Sequence, residues 1–544
     1  MLADDTSEQS VGSRIPVSDH MLHGQAFRLT IVTLWDRTDG HDEPVRVQSV
    51  LLAEDGTRAW TGSIFVIEET ANSRGTIFVR RSPMPESRPL PADSDLKVQK
   101  RGDELNVTLY RAAHESANDL WAVLPYEGGD FGRTRALQAW QRSLRPDSPV
   151  YRTRRFVINT WGDRSRDARI TESFVLREIQ AAQTIDADAV RIDDGWQAGL
   201  SGNSAFAGEM KTRGLTGFWS VSDRFWEVHP ERFPNGLRPV LDRAKAAGIE
   251  IGLWYAPDSD DELVNWEKDA EQILRLHRTY GVRFFKIDGL NVVSRLAQQR
   301  IDQLLARVKD ESDGNILLML DITGHHKRPG FLGAIGSGNL FVQNRYTDWG
   351  NYWPHRTLRS LWRLSHWVDP SRLRFEFLNN TRNTEHESYA GHPLAPANYR
   401  SDYLFASVMM SNPLGWFEAS NLPDNFRDRL TPLVQAWRQH RDTLAGCTIM
   451  PVGQEPSGRS WTGFLAIDQD GTPRSLLALR EFTESNRYTY ELPVPLDPHI
   501  ATTVLHGAGV AEIGRDSITL TIDDAPGYVW VGFNTPDQET SDKK

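Results

Sequence analysis

The chain carries one cysteine, Cys447, in 544 residues. An intrachain disulfide framework is thereby excluded, and a reducing compartment fits. No apolar stretch reaches the roughly 18 residues that a membrane-spanning helix needs. Residues 1–25, MLADDTSEQSVGSRIPVSDHMLHGQ, hold no apolar core of the kind a secretion signal requires, so a soluble, cytoplasmic protein is expected. Neither sign of charge forms long runs: 62 basic residues stand against 73 acidic ones, for a net charge of −11. That balance speaks against nucleic acid or an anionic membrane as a partner. No GxGxxG or Walker pattern follows an apolar run, which leaves a nucleotide-binding fold without its phosphate-cradling loop.

Tryptophan, by contrast, is plentiful, with 18 copies. Most tryptophans fill cores, but an indole face is also what the C–H side of a pyranose packs against. Between residues 26 and 135 short alternating runs (RLTIVTLW, RVQSVLLA, GSIFVIEE, GTIFVRR, ELNVTLY, LWAVLPY) are punctuated by Gly, Asp, Asn and Pro, the pattern of an antiparallel β-sandwich. Residues 1–25 read as a flexible terminus and 136–152 as a helical linker. From 153 to 446 the rhythm becomes strand, loop, helix. Strands are expected at 156–161, 189–193, 249–255, 282–288, 316–322, 340–346 and 373–378, and at 408–410 with its extension. The segments between them, such as SFVLREIQAAQTI and EKDAEQILRLHRTYG, have apolar residues at helical spacing. Eight such repeats predict an α/β fold, a (β/α)8 TIM barrel. A C-terminal antiparallel β domain is expected over 447–534 and a frayed tail over 535–544.

The stretch VRFFKIDG, residues 282–289, concentrates the chemistry. Period-2 alternation puts Phe284, Lys286 and Asp288 on one side of the strand and Phe285 and Ile287 on the other. Charges on an inward face need a partner or a function; a buried structural ion pair is the competing reading. In a TIM barrel the working groups sit at the C-terminal strand ends. Those ends offer Asp193, Asp194 and Trp196 on the second strand, Trp254 on the third, Asp321 and Thr323 on the fifth, and Arg345, Asp348 and Trp349 on the sixth. An aspartate at a strand end also serves as a helix N-cap, which is the competing reading for Asp193 and Asp194. Glycoside hydrolysis takes two carboxyl groups flanking the bond. Asp288 and Asp348 are candidates to face each other across the barrel mouth, Asp288 as nucleophile kept ionised by Lys286 and Asp348 as acid with the apolar flank of Trp349. His325 and His326 are neighbours that point in different directions and lack an i, i+4 partner, so no metal site is expected.

The segments ALQAWQRSLRP, NTWGDRSRDARITESFVLREI, VRIDDGWQ, IGLWYAPD, RFFKIDG and NRYTDWGNYWPHRTL resemble those of glycoside hydrolase family 36, the α-galactosidases, in a clan shared with family 27. The resemblance covers roughly residues 135–445. It implies an N-terminal β-supersandwich, a catalytic barrel, a C-terminal β domain, hydrolysis with retention, and no metal or organic cofactor. It also implies Asp288 as nucleophile, Asp348 as general acid/base, and contacts to the sugar from Lys286, Asp193, Asp194, Trp196, Trp254 and Arg345. Asp321, Thr323 and Trp349 complete the expected substrate-binding set. The family's Cys and glycine run after the fifth strand is replaced here by LDITGHHKRPGFLG, where Thr323 and Gly324 are the candidates to read the sugar's 2-position. The expected function is release of terminal α-linked galactose from an oligosaccharide or glycoside. The alternatives are the same chemistry on another α-linked sugar such as N-acetylgalactosamine, transglycosylation, or a catalytically silent carbohydrate-binding protein. Family members often assemble as dimers or tetramers, which makes a homo-oligomer a further expectation.

Overall fold

A computed structural model describes residues 14–35, 42–81, 94–112, 120–324, 330–497 and 499–534. The alternating runs of the N-terminal region form nine strands: β1 Arg14–His23, β2 Phe27–Leu34, β3 Val45–Leu52, β4 Gly56–Trp60, β5 Ile64–Glu69, β6 Arg74–Arg80, β7 Leu96–Arg101, β8 Glu104–Ala112 and β9 Trp121–Glu127. They make two antiparallel sheets, ordered β1-β8-β7-β4 and β3-β2-β5-β6-β9. Phe27, Leu29, Ile31, Phe65, Ile67 and Phe78 of one sheet meet Leu96, Val98, Leu105, Val107 and Leu109 of the other. The opposite face of the five-stranded sheet, with Val32, Ile64, Val66, Ile77 and Val79, joins the core of the next domain. Burial on both faces explains why β5 reads as a continuous apolar run.

One expectation fails here. The flexible terminus drawn over residues 1–25 contains β1, which pairs with β8 from Arg14↔Ala112 to His23↔Glu104. Pro16 and Asp19 hid it. The proline is accommodated because β1 is an edge strand with an irregularity between Pro16 and Ser18. Residues 1–13 and the tail 535–544 lie outside the described residues.

Eight parallel strands close the barrel: β10 Val157–Asn159, β11 Ala189–Ile192, β12 Glu250–Tyr255, β13 Phe284–Ile287, β14 Leu317–Asp321, β15 Gly338–Phe341, β16 Leu373–Phe377 and β17 Asn412–Gly415. Helices such as Glu172–Thr184, Trp266–Tyr280 and Arg295–Glu311 cover its outside. Their limits follow from sequence. Thr171 Oγ1 and Ser294 Oγ accept the backbone N–H groups of Phe174 and Ala297 as N-caps, and Gly281, at φ +72°, ends the second of these helices in the left-handed region. Two strands depart from expectation. The sixth ends at Phe341, so residues 342–346 run on as irregular chain. The eighth is not 408–410 but Asn412–Gly415; Val408–Met410 form a turn after the helix Ser401–Ala406. Asn412, Pro413 and Gly415 give that strand none of the β-branched signature by which strands are read.

The C-terminal domain holds β18 Thr448–Gly453, β19 Trp461–Ile467, β20 Pro473–Arg480, β21 Arg487–Glu491, β22 Ala501–Gly507, β23 Val510–Ile513, β24 Ser517–Thr521 and β25 Gly527–Asn534, in sheets ordered β18-β19-β20-β25-β22 and β21-β24-β23. The helix Gly129–Ser143 lies where all three domains meet. From it, the fully buried Gln138 donates through Nε2 to Ser365 O and Ile449 O, both at 2.9 Å, and accepts through Oε1 from Ile449 N. Among the described residues no helix is long and apolar enough to cross a membrane.

Candidate active site

The alternation along β13 places the site. Phe285 and Ile287 point outward into the core shared with the surrounding helices, while Phe284 packs on Leu317 and Tyr151 at the lower end of the barrel. Lys286 and Asp288 follow on that inner side, 4% and 7% exposed. In register beside Lys286 stand Trp254 on β12 and Met319 on β14.

Lys286 Nζ lies 3.2 Å from Asp193 Oδ2 and 3.8 Å from Asp321 Oδ2, with its ammonium 5.1 Å from the Trp416 ring centroid and 5.6 Å from that of Phe341. A buried cation among two carboxylates and two ring faces is compensated on several sides. Asp193 is fixed further by Asn159 Nδ2, which donates to its Oδ2 at 2.8 Å, and by its own N–H to Thr160 Oγ1 at 3.1 Å. Asp321 Oδ1 accepts from both the backbone N and the Oγ1 of Thr323, at 3.0 and 2.7 Å. Asp288 has one oxygen accepting from Gly289 N at 2.7 Å and the other facing Trp254 Nε1 at 3.4 Å. Trp254 in turn receives the Trp196 indole N–H on its carbonyl at 2.8 Å. Thus Asp193, Asp288, Asp321, Thr323, Lys286, Trp254 and Trp196 form one connected cluster at the C-terminal ends of β11 to β14.

The remaining expected residues are arranged differently. Asp194 turns to its own loop, accepting from Gln197 Nε2 at 2.6 Å and from Ser201 Oγ. Burial pushes its carboxyl up to about 7. Arg345 donates to Asp42 Oδ1 at 3.3 Å, and Asp42 also binds Arg356 at 2.7 Å, so a residue of the N-terminal domain reaches the loop after β15. Asp348, its side chain 36% exposed, pairs with Arg164 Nε at 3.1 Å. That guanidinium lies 4.4 Å from the Tyr346 ring centroid and 4.6 Å from that of Trp349.

Four residues escaped the sequence reading: Asn159, Arg164, Trp416 and Asp42. Asn159 and Arg164 lie within a quoted motif but had no assigned partner. Trp416 follows the misplaced eighth strand. Asp42 had no signal at all. The loop bearing Arg164 is seated by Gly162, where a Cβ would come within 1.9 Å of Trp416 O, so only glycine allows that approach. His325 and His326 lie outside the described residues; among those described, no group of three or more His, Cys, Asp or Glu side chains could hold a metal ion.

A closed parallel barrel with charged and aromatic groups gathered at its C-terminal strand ends, flanked by β domains, defines the class of molecule. Solved structures then specify the fold as that of the family 36 glycoside hydrolases. The GH36 α-galactosidase AgaA of Geobacillus stearothermophilus, determined with 1-deoxygalactonojirimycin, superposes with a TM-score of 0.64 at 12% identity, over 96% of this chain and 78% of that one. The α-galactosidase of Lactobacillus brevis gives 0.63 at 11% identity, over 95% and 75%. At that identity the likeness is one of fold. In sequence, an α-galactosidase of Escherichia coli is 26% identical over 143 residues, which is 26% of this chain. Alpha-galactosidase 2 of Pediococcus pentosaceus is 28% identical over 102 residues, or 19% of it. The matched stretches span only 17% and 12% of the length of those two relatives. No family model matches the chain.

Proposed function

We propose that the chain is a retaining, exo-acting glycoside hydrolase that releases terminal α-linked galactose. The observation that carries this reading is the enclosed cluster around Lys286, with Asp288 two residues on along the same inner side and held by Trp254 and Gly289. Asp288 attacks the anomeric carbon while Asp348 protonates the departing oxygen; the bond to Asp288 forms as the glycosidic bond breaks. Asp348 then takes a proton from water, whose oxygen displaces Asp288 and leaves the sugar with its original configuration. The lysine favours ionised carboxylates around the sugar, while Asp193, Lys286 and Trp254 present donors, acceptors and an indole to its hydroxyls and ring. AgaA variants determined with raffinose and stachyose support an oligosaccharide substrate.

A second reading keeps this chemistry and changes the sugar. It is favoured by the turn after β14, where Thr323 Oγ1 is committed to Asp321, so that the group reading the 2-position differs from the family's. Hydrolysis of aryl α-galactoside, with no other α-glycoside in a panel accepted, would dispose of it. The main test is Asp288→Ala assayed on aryl α-galactoside with and without azide. Loss of hydrolysis with azide-dependent release of the phenol is expected; wild-type turnover by the variant would sink the assignment. Proton NMR should show the α-anomer of the sugar released first.

A further inference from the structure

We infer that Trp349 and Arg164 form the leaving-group side of the site and hold a pyranose ring there. The inference rests on the reading of Asp348 as acid/base. Three rings climb from the floor of the site to its rim. Trp416 lies 5.1 Å from Lys286 Nζ, Tyr346 is 6.1 Å from Trp416, and Trp349 meets Tyr346 in a T-shaped contact at 4.6 Å. The lower two are buried, whereas Trp349 is 49% exposed.

Asp348 is adjacent to Trp349 in the chain. A carboxyl that protonates the glycosidic oxygen has the departing group bonded to that same oxygen, so the departing group lies along the exposed end of this wall. An indole in that place offers an apolar face to the C–H side of a sugar ring. It is also preorganised. The edge of Tyr346 fixes it from one direction, and the Arg164 guanidinium sits in the crook between the two rings. Among the described residues the hydrogen bond of that guanidinium is the one from Nε to Asp348, which leaves its terminal N–H groups for sugar hydroxyls. Arg164 is in this sense a positioning residue for Asp348 as well as a wall of the subsite.

The test compares two substrates that share galactose and differ in what leaves. α-Galactosyl fluoride places no ring on the leaving-group side and needs little protonation; an α-1,6-linked galactosyl disaccharide needs both. Trp349→Ala should lower the ratio of kcat/KM for the disaccharide to that for the fluoride by about tenfold or more, chiefly through KM, with Trp349→Phe keeping most of it. Arg164→Gln should lower the same ratio chiefly through kcat, because it acts on Asp348. Equal losses on both substrates would mean that these residues only support the loop and would overturn the proposal. Asp348→Ala is measured in parallel. If it lowers the ratio and the other variants do not, the subsite fails while the function stands. If Asp348→Ala leaves the ratio as it is, or if the wild-type chain is inert on both substrates, the underlying reading fails and takes the subsite with it.

Discussion

Asp288 and Asp348, the two carboxylates proposed to share the reaction, are held in opposite ways. Asp288 follows directly on a barrel strand, is 7% exposed, and is gripped by its neighbour's backbone N–H and an indole on the adjacent strand. Asp348 sits on a loop beyond β15, its side chain a third exposed, and is held by an arginine from a different loop. Backbone ladders fix the first; side-chain contacts near solvent fix the second. A nucleophile must stay in line with one carbon of one sugar, whereas an acid has to follow leaving groups of varied shape. On this view stability and chemistry are coupled on the strand side and separable on the loop side.

The sharpest way to break that contrast is Lys286→Met. Removing the cation strands Asp193 and Asp321 as buried carboxylates, so unfolding in guanidinium should show a loss of about 3–5 kcal/mol, together with at least ~10³-fold lower turnover. Native stability in this variant would mean that the strand-side charges do not depend on one another. Next is a pH effect at Asp194. Burial raises its folded carboxyl from the ordinary 3.8 to about 7. Between about pH 4 and pH 7 the folded chain therefore keeps a proton that the unfolded chain has lost, and stability falls as pH rises through that window. Asp194→Asn, in which the Ser201 hydroxyl can rotate to accept from the new amide, should flatten part of that fall in urea titrations at pH 4.5 and 7.5. An unchanged slope would remove Asp194 as a source. Trp254→Phe takes away the indole N–H facing Asp288, and stopped assays should give about tenfold lower kcat with a loss of about 1–2 kcal/mol from the smaller ring. The smallest effect belongs to the loop side: Arg164→Gln should change unfolding free energy by less than about 1 kcal/mol, as for other solvent-facing pairs. A larger drop would mean that the loop is part of the barrel's frame.

How much of this could be read in the sequence follows the same divide. VRFFKIDG was legible because alternation at period 2 is set by the backbone itself, and so the inward placement of Lys286 and Asp288 required no knowledge of the rest of the fold. The barrel was legible from its repeated strand and helix spacing. Asn412–Gly415 was not, since a four-residue strand containing Pro and Gly has no pattern to detect, and with it Trp416 was lost. Contacts between loops were equally out of reach: Arg164 and Asp348 are 184 positions apart, Asp42 and Arg345 303. Nothing local encodes such pairings. They exist only once the strands have brought their ends together.

Gln138 carries a consequence of another kind. One amide joins the helix that follows the sandwich to a barrel helix and to the first strand of the C-terminal sheet, and all three of its bonds are sealed from water. None of the three domains can come away without exposing those carbonyls and that N–H unmet, at the same moment for each. Calorimetry on the intact chain should therefore trace one cooperative peak instead of three, and a protease should find no intermediate in which the barrel survives after its neighbours have melted.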